Sequence, residues 1–220
     1  MRLKSIRSAA CALKRSKSGV SAVEFALILP LFISLMAAGT EMMWMMLTTI
    51  KVQRLATMTA DLVARDGAST GRLSEGQIYD ILSAMDLAAK PLHMRERGRL
   101  VVTAVVGEDA NSDGAPDVNR IKWQRFEGAL TGAVPQMGCW SDSTVARNVG
   151  RQLRFGEPMF HVQVTYAYEP ILGGPLVNWF GIPQNISKTA AFRGRGAIFQ
   201  PVLTMEGYTP KTNCHSADGL

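Results

Sequence analysis

From Phe25 to Thr40 the chain has no charged side chain, and beyond Glu41 a second uncharged stretch runs from Met42 to Ile50. A helix crossing a hydrocarbon core about 30 Å thick needs about 20 residues. One starting near Glu24 reaches the far interface near Trp44, so both acids fall close to the edges of the slab. Leu27, Ile28, Leu29, Leu31, Phe32, Ile33 and Leu35 each favour insertion by roughly 0.3 to 0.6 kcal/mol, whereas an acid at the centre opposes it by about 2.5 to 3.5 kcal/mol. The pattern therefore predicts a transmembrane segment at about residues 24–47.

The charge distribution gives the orientation. The 220-residue chain has a net charge of +6 and a pI near 9.5, which alone invites nucleic-acid binding. Arg2, Lys4, Arg7, Lys14, Arg15 and Lys17 precede Gly19 with no acid among them; the remaining 18 basic residues are balanced by 18 acidic ones. The basic character belongs to the leader, so no nucleic-acid partner is expected. A basic flank holds the N-terminal side of a membrane segment in the cytoplasm. Residues beyond it are then expected outside, in the periplasm of a Gram-negative cell. A secretory signal fits poorly, because its apolar region is shorter and ends at small residues, whereas Ala37, Ala38 and Gly39 lie inside this run.

Three parts follow: a basic leader over 1–19, a long helix over 20–66 and an extracytoplasmic α+β head over 67–220. The helix spans about 69 Å from Val20 to Arg65 at 1.5 Å per residue. Pro30 removes one of its backbone hydrogen bonds and is expected to bend it. Val52, Leu55, Met58 and Leu62 form an apolar stripe past the membrane, and Asp66-Gly67 is expected to end the helix. Ser74-Glu75-Gly76-Gln77 has the spacing of a capping box for a second helix to Leu87. Leu100 to Val106 and Val118 to Phe126 read as a hairpin, Met159 to Tyr168 as an alternating strand, and Ile186 to Phe199 as another. Ile171 to Ile182 carries two Gly-Pro breaks around a possible short helix. A mixed or antiparallel sheet is expected, with a polar tail from Tyr208 held loosely except through Cys214.

Of three cysteines, Cys11 lies in the leader, while Cys139 and Cys214 lie outside. An oxidising compartment and an even remainder favour one disulfide between them; two free thiols is the alternative. Asp109, Asn111, Asp113 and Asp117 match part of a calcium loop, but Arg120 stands where the bidentate glutamate belongs. Turn chemistry explains the same residues, so no metal or cofactor is favoured, with calcium the alternative. The three histidines lack metal-ligand spacing, and phosphate loops, nucleophile elbows and C-x-x-C motifs are absent. No catalysis is expected.

Gly19-Val20-Ser21-Ala22-Val23-Glu24-Phe25, after a basic leader and before an apolar helix, resembles the processing site of type IV prepilins. In particular it resembles the TadE-like minor pilins, or pseudopilins, of the tight-adherence (Flp) pilus system, with Pro30 at a fitting place. Trp123-Gln124-Arg125 and the tyrosine-rich strand before Pro170 are also similar to that family's extracytoplasmic region. The resemblance implies cleavage between Gly19 and Val20 by a membrane prepilin peptidase, assembly roles for Glu24 and Phe25, and other pilins and pilus assembly proteins as partners. It also implies a single-pass bacterial inner-membrane protein with a cytoplasmic N-terminus and a periplasmic head, entering a pilus or assisting its biogenesis in surface adherence. The competing reading is an uncleaved single-pass protein whose head binds a ligand or partner.

Overall fold

In a computed structural model the described residues are 19–69, 72–173, 181, 183–194 and 199–220. Residues 1–18 of the leader and part of the Ile171–Ile182 segment lie outside them. The chain divides into two compact units at Trp44/Met45, within its first helix.

That helix, α1, is Val20–Ser69 and contains Pro30. It continues through Gly67 rather than ending there. An interior glycine costs about 1 kcal/mol relative to alanine, and Ala68 and Ser69 extend the helix past it. In the first unit, the segment within Val20–Arg65 that is long and apolar enough to cross a membrane has none of its residues buried. Leu27, Leu31 and Leu35 are each at least 70% exposed. Ser34 donates to the Leu31 carbonyl at 2.8 Å and Thr40 to the Met36 carbonyl at 2.9 Å. Both hydroxyls are thus satisfied within the helix, as an apolar surrounding requires.

The second unit is an α+β head that takes in α1 from Met45 onward. After α1 come α2 (Glu75–Ala89), a helical turn α3 (Met94–Arg97), β1 (Gly98–Glu108), β2 (Val118–Glu127), β3 (Pro158–Ala167) and β4 (Asn185–Arg193). The four strands form one antiparallel sheet in the order β2-β1-β3-β4. The Ser74 capping box opens α2: Ser74 N–H donates to Gln77 Oε1 at 2.9 Å, and Gln77 N–H donates to Ser74 Oγ at 3.3 Å. Two orphan amides are satisfied there.

The helices pack on one face of the sheet. Leu55 of α1, Leu82 and Met85 of α2 and Leu100 of β1 line one small apolar cavity. The buried stripe of α1 is Val52, Leu55, Ala56, Thr59, Ala60, Val63 and Ala64, whereas Met58 is 49% exposed. This departs from the expected stripe because small residues let the helix approach closely, while a long unbranched side chain one position off the face turns outward. Gln53 of α1 donates to the outward Thr189 carbonyl of β4 at 3.3 Å, and this covers part of an otherwise open sheet edge.

The opposite face is covered by irregular chain. Val105, Ile121 and Met159 pack with Met137 and Leu153, and Val101 and Phe126 pack with Cys139 and Cys214. Consequently β3 is buried on both faces, including His161, Gln163 and Thr165. Gln163 accepts from Gln136 N–H at 2.7 Å and donates to the Val134 carbonyl at 3.0 Å, so its amide is paired inside the layer. A register shift opposite Ala104/Val105 leaves Lys122 as an extra residue in β2. Ile121 therefore joins the irregular layer beside Val105, while Trp123 tilts against Phe160, with ring centroids 6.0 Å apart. Simple alternation would have put Ile121 and Trp123 on one face.

The C-terminal tail is firmly held, contrary to the loose tail expected from its polarity. Buried Lys211 forms an ion pair with Glu127, and its backbone carbonyl accepts from Phe126 N–H at 2.9 Å along the β2 edge.

Candidate functional site

The residues singled out by the resemblance sit at the start of α1. Gly19 precedes the helix, and its carbonyl accepts the first helical bond, from Val23 N–H at 3.2 Å. A Cβ added to Gly19 would meet nothing within 4 Å, so packing within the folded chain supplies no reason for a glycine here. Val20 is 52% exposed and Phe25 64% exposed. Glu24 is exposed as well. It stands four residues after Val20, one turn along the same helical face. Among the described residues its carboxylate has no hydrogen-bond or ion-pair partner. Pro30 lies within the continuous helix, where it cannot donate to the Ala26 carbonyl.

Phe25, Leu27, Ile28, Leu31, Phe32, Ile33 and Leu35 are all more than half exposed. Full burial of such side chains is worth about 1.5–3 kcal/mol each. A continuous apolar helix surface of this length is unfavourable in water and calls for lipid or neighbouring helices around it. Glu41, by contrast, is only 3% exposed, although its sequence position reads as an interfacial charge.

Away from this helix, Cys139 and Cys214 form a disulfide with Cα atoms 6.3 Å apart. His215 lies beside them, and its imidazole and the two sulfurs fall within 4.8 Å of one another. Sulfurs joined to each other are not thiolate ligands, so this grouping is not a metal site in the oxidised protein.

The acidic turn between β1 and β2 directs its oxygens at its own backbone. Asp109 accepts from Asp113 N–H at 3.2 Å and Gly114 N–H at 2.8 Å, Asn111 accepts from Asp113 N–H at 3.1 Å, and Asp117 accepts from Ala110 N–H at 2.7 Å. These are the bonds of an Asx-type turn.

Three charged residues are buried in a way that the sequence reading did not anticipate. Glu75 at the start of α2 pairs with Arg125 of β2, both almost fully buried. Arg99 is 1% exposed and is surrounded by backbone carbonyls. Burial lowers the Arg99 pKa, opposed by the charges of Glu127 and Asp218.

Comparison with known proteins finds no curated protein and no solved structure that matches this chain. One family, described as TadE-like protein, matches residues 19–69. The match covers Gly19, the exposed apolar helix and the buried stripe of α1, and leaves Trp123, Gln124, Arg125 and β3 outside it. Over residues 19–69, less than half of its length, this chain is similar to the TadE-like proteins.

Proposed function

We propose that this chain is a minor pilin, or pseudopilin, of a tight-adherence (Flp) pilus, cleaved after Gly19 by a prepilin peptidase and contributing to pilus biogenesis and surface adherence. In this reading it is anchored in the bacterial inner membrane by residues 24–47, with its leader cytoplasmic and its head periplasmic. Other pilins and pilus assembly proteins are its partners, and it carries out no catalysis itself. The observation that carries the reading is the TadE-like match, which begins at Gly19 and runs along the exposed apolar helix.

The chemistry supports it. Cleavage leaves an α-amine on Val20 that is positively charged near neutral pH. Glu24 then has an ammonium one turn away, on its own chain or on a neighbour's N-terminus, and the helix dipole favours an anion at that end. Without cleavage, an exposed acid opens an apolar helix with no described partner. Gly19 allows an extended backbone to approach a protease without a side-chain clash.

The test is complementation of a strain lacking the gene. Wild type should restore surface fibres and attachment, whereas Glu24→Gln should be inserted and cleaved but restore neither. Full restoration by Glu24→Gln would contradict the assembly role of Glu24, and failure of the wild type itself to restore fibres would favour an uncleaved membrane protein with a partner-binding head.

A further inference from the structure

The C-terminal residues from Tyr208 to Leu220 form a strap around one sheet edge. Tyr79 Oη of α2 donates to the Thr209 carbonyl at 2.7 Å, and the Lys211 ammonium lies 5.0 Å from the centroid of the Tyr79 ring. The strap then follows the β2 edge at Phe126 and ends on the face away from the helices, where Cys214 joins Cys139. The segment after Cys139 covers the other part of the same edge, with Ile121 N–H donating to the Thr144 carbonyl at 2.7 Å and Ala146 N–H to the Asn119 carbonyl at 2.8 Å. One disulfide thus ties together the two segments that close β2.

What holds the strap on that face is Arg99. Its Nη1 donates to the carbonyls of Gly128 at 2.7 Å, Ser216 at 2.6 Å and Ala217 at 3.1 Å; its Nη2 donates to the carbonyls of Cys214 at 3.0 Å and Asn213 at 3.4 Å. Four of these five carbonyls belong to the strap, and one belongs to a disulfide cysteine. The guanidinium plane also lies 5.0 Å from the centroid of the Phe126 ring, in the cluster containing Val101, Cys139 and Cys214. A planar cation with five fixed donors can gather several carbonyls of one irregular segment, which a point charge cannot do as well.

We infer that Arg99 is a positioning residue for oxidation: it docks the strap in the reduced chain and so brings Cys214 to Cys139, and the disulfide then locks an arrangement already made. With a disulfide oxidant such as oxidised glutathione, one thiolate attacks and releases one glutathione thiol, forming a mixed disulfide. The second thiolate displaces the other glutathione as a thiol, so two protein thiols lose two protons and two electrons to the oxidant. Docking raises the effective concentration of the second thiolate, and that intramolecular step is the one Arg99 accelerates.

The experiment uses the full chain carrying Cys11→Ser, so that Cys139 and Cys214 are its two thiols, in detergent, reduced and then mixed with oxidised glutathione, with free thiols trapped over time. Wild type should close the disulfide at least tenfold faster than Arg99→Met, with Arg99→Lys recovering part of the rate and the mixed disulfide accumulating in Arg99→Met. Equal closure rates in wild type and Arg99→Met would overturn the inference. Limited proteolysis of reduced wild type supplies a reading independent of variant folding. Protection of the strap without the disulfide is expected, and cleavage within 208–220 as soon as the bond is reduced would overturn the docking claim.

Discussion

Arg125 Nε donates to Glu75 Oε2 at 3.0 Å while its Nη2 reaches Oε1, closing a two-pronged ion pair between β2 and the first residue of α2. The guanidinium also donates to the Gln124 carbonyl at 2.8 Å and lies 5.6 Å from the Trp123 ring centroid. Breaking a buried pair by removing one partner leaves the other charge uncompensated and typically costs about 3–5 kcal/mol. Glu75→Gln and Arg125→Met should each lower the unfolding free energy of the head by about that amount, measured by denaturant titration. The double change to apolar residues of similar size should cost less than the sum. Single variants as stable as wild type would show that the pair is not desolvated in solution.

His161 sits on the face covered by irregular chain, between Thr103 of β1 and Ala191 of β4. Burial lowers its pKa from the ordinary 6.5 to about 4. The unfolded chain therefore takes up a proton that the folded chain refuses, so stability falls as pH falls from about 6.5 towards 4. The loss is on the order of 3 kcal/mol for the full window. Urea midpoints measured across that range should slope downward in wild type and less steeply in His161→Gln. Parallel profiles would remove His161 as the cause.

Gly107 of β1 lies against the chain before β3, with Gly156 N–H donating to its carbonyl at 3.0 Å. A Cβ there would collide with the backbone carbonyls of Leu153 and Arg154, whereas one at Gly132 would meet nothing within 4 Å. Backbone cannot yield as a flexible side chain can. Gly107→Ala should destabilise the head by about 1–3 kcal/mol, and Gly132→Ala should be close to neutral. Thermal melts of the two variants side by side decide it.

The parts of this fold set by local chemistry were readable from the residues. The apolar run gave the helix, Ser74 and Gln77 gave the start of α2, and the β-branched residues of β1 with the turn at 109–117 gave the hairpin. Features set by distant packing were not. Ala56, Thr59, Ala60 and Ala64 carry the buried face of α1 with little hydrophobic signal, and the Met58 that fits the period is exposed. Burial of His161, Gln163 and Thr165 depends on a covering layer without regular structure, so alternation along β3 suggested a polar face that the protein does not have. The tail looked loose because Arg99, more than a hundred positions earlier, offers no sequence signal that it will collect carbonyls from residues 213–217. At the candidate site, the glycine, the acid five positions later and the apolar helix were all visible beforehand, since they form one contiguous stretch.

The state of the N-terminus in the membrane separates a processed pilin from an uncleaved membrane protein. Protein extracted from the membrane of its own cell and analysed by mass spectrometry should begin at Val20, with the 19-residue leader absent. A chain that still carries Met1 to Gly19 would contradict the processed pilin.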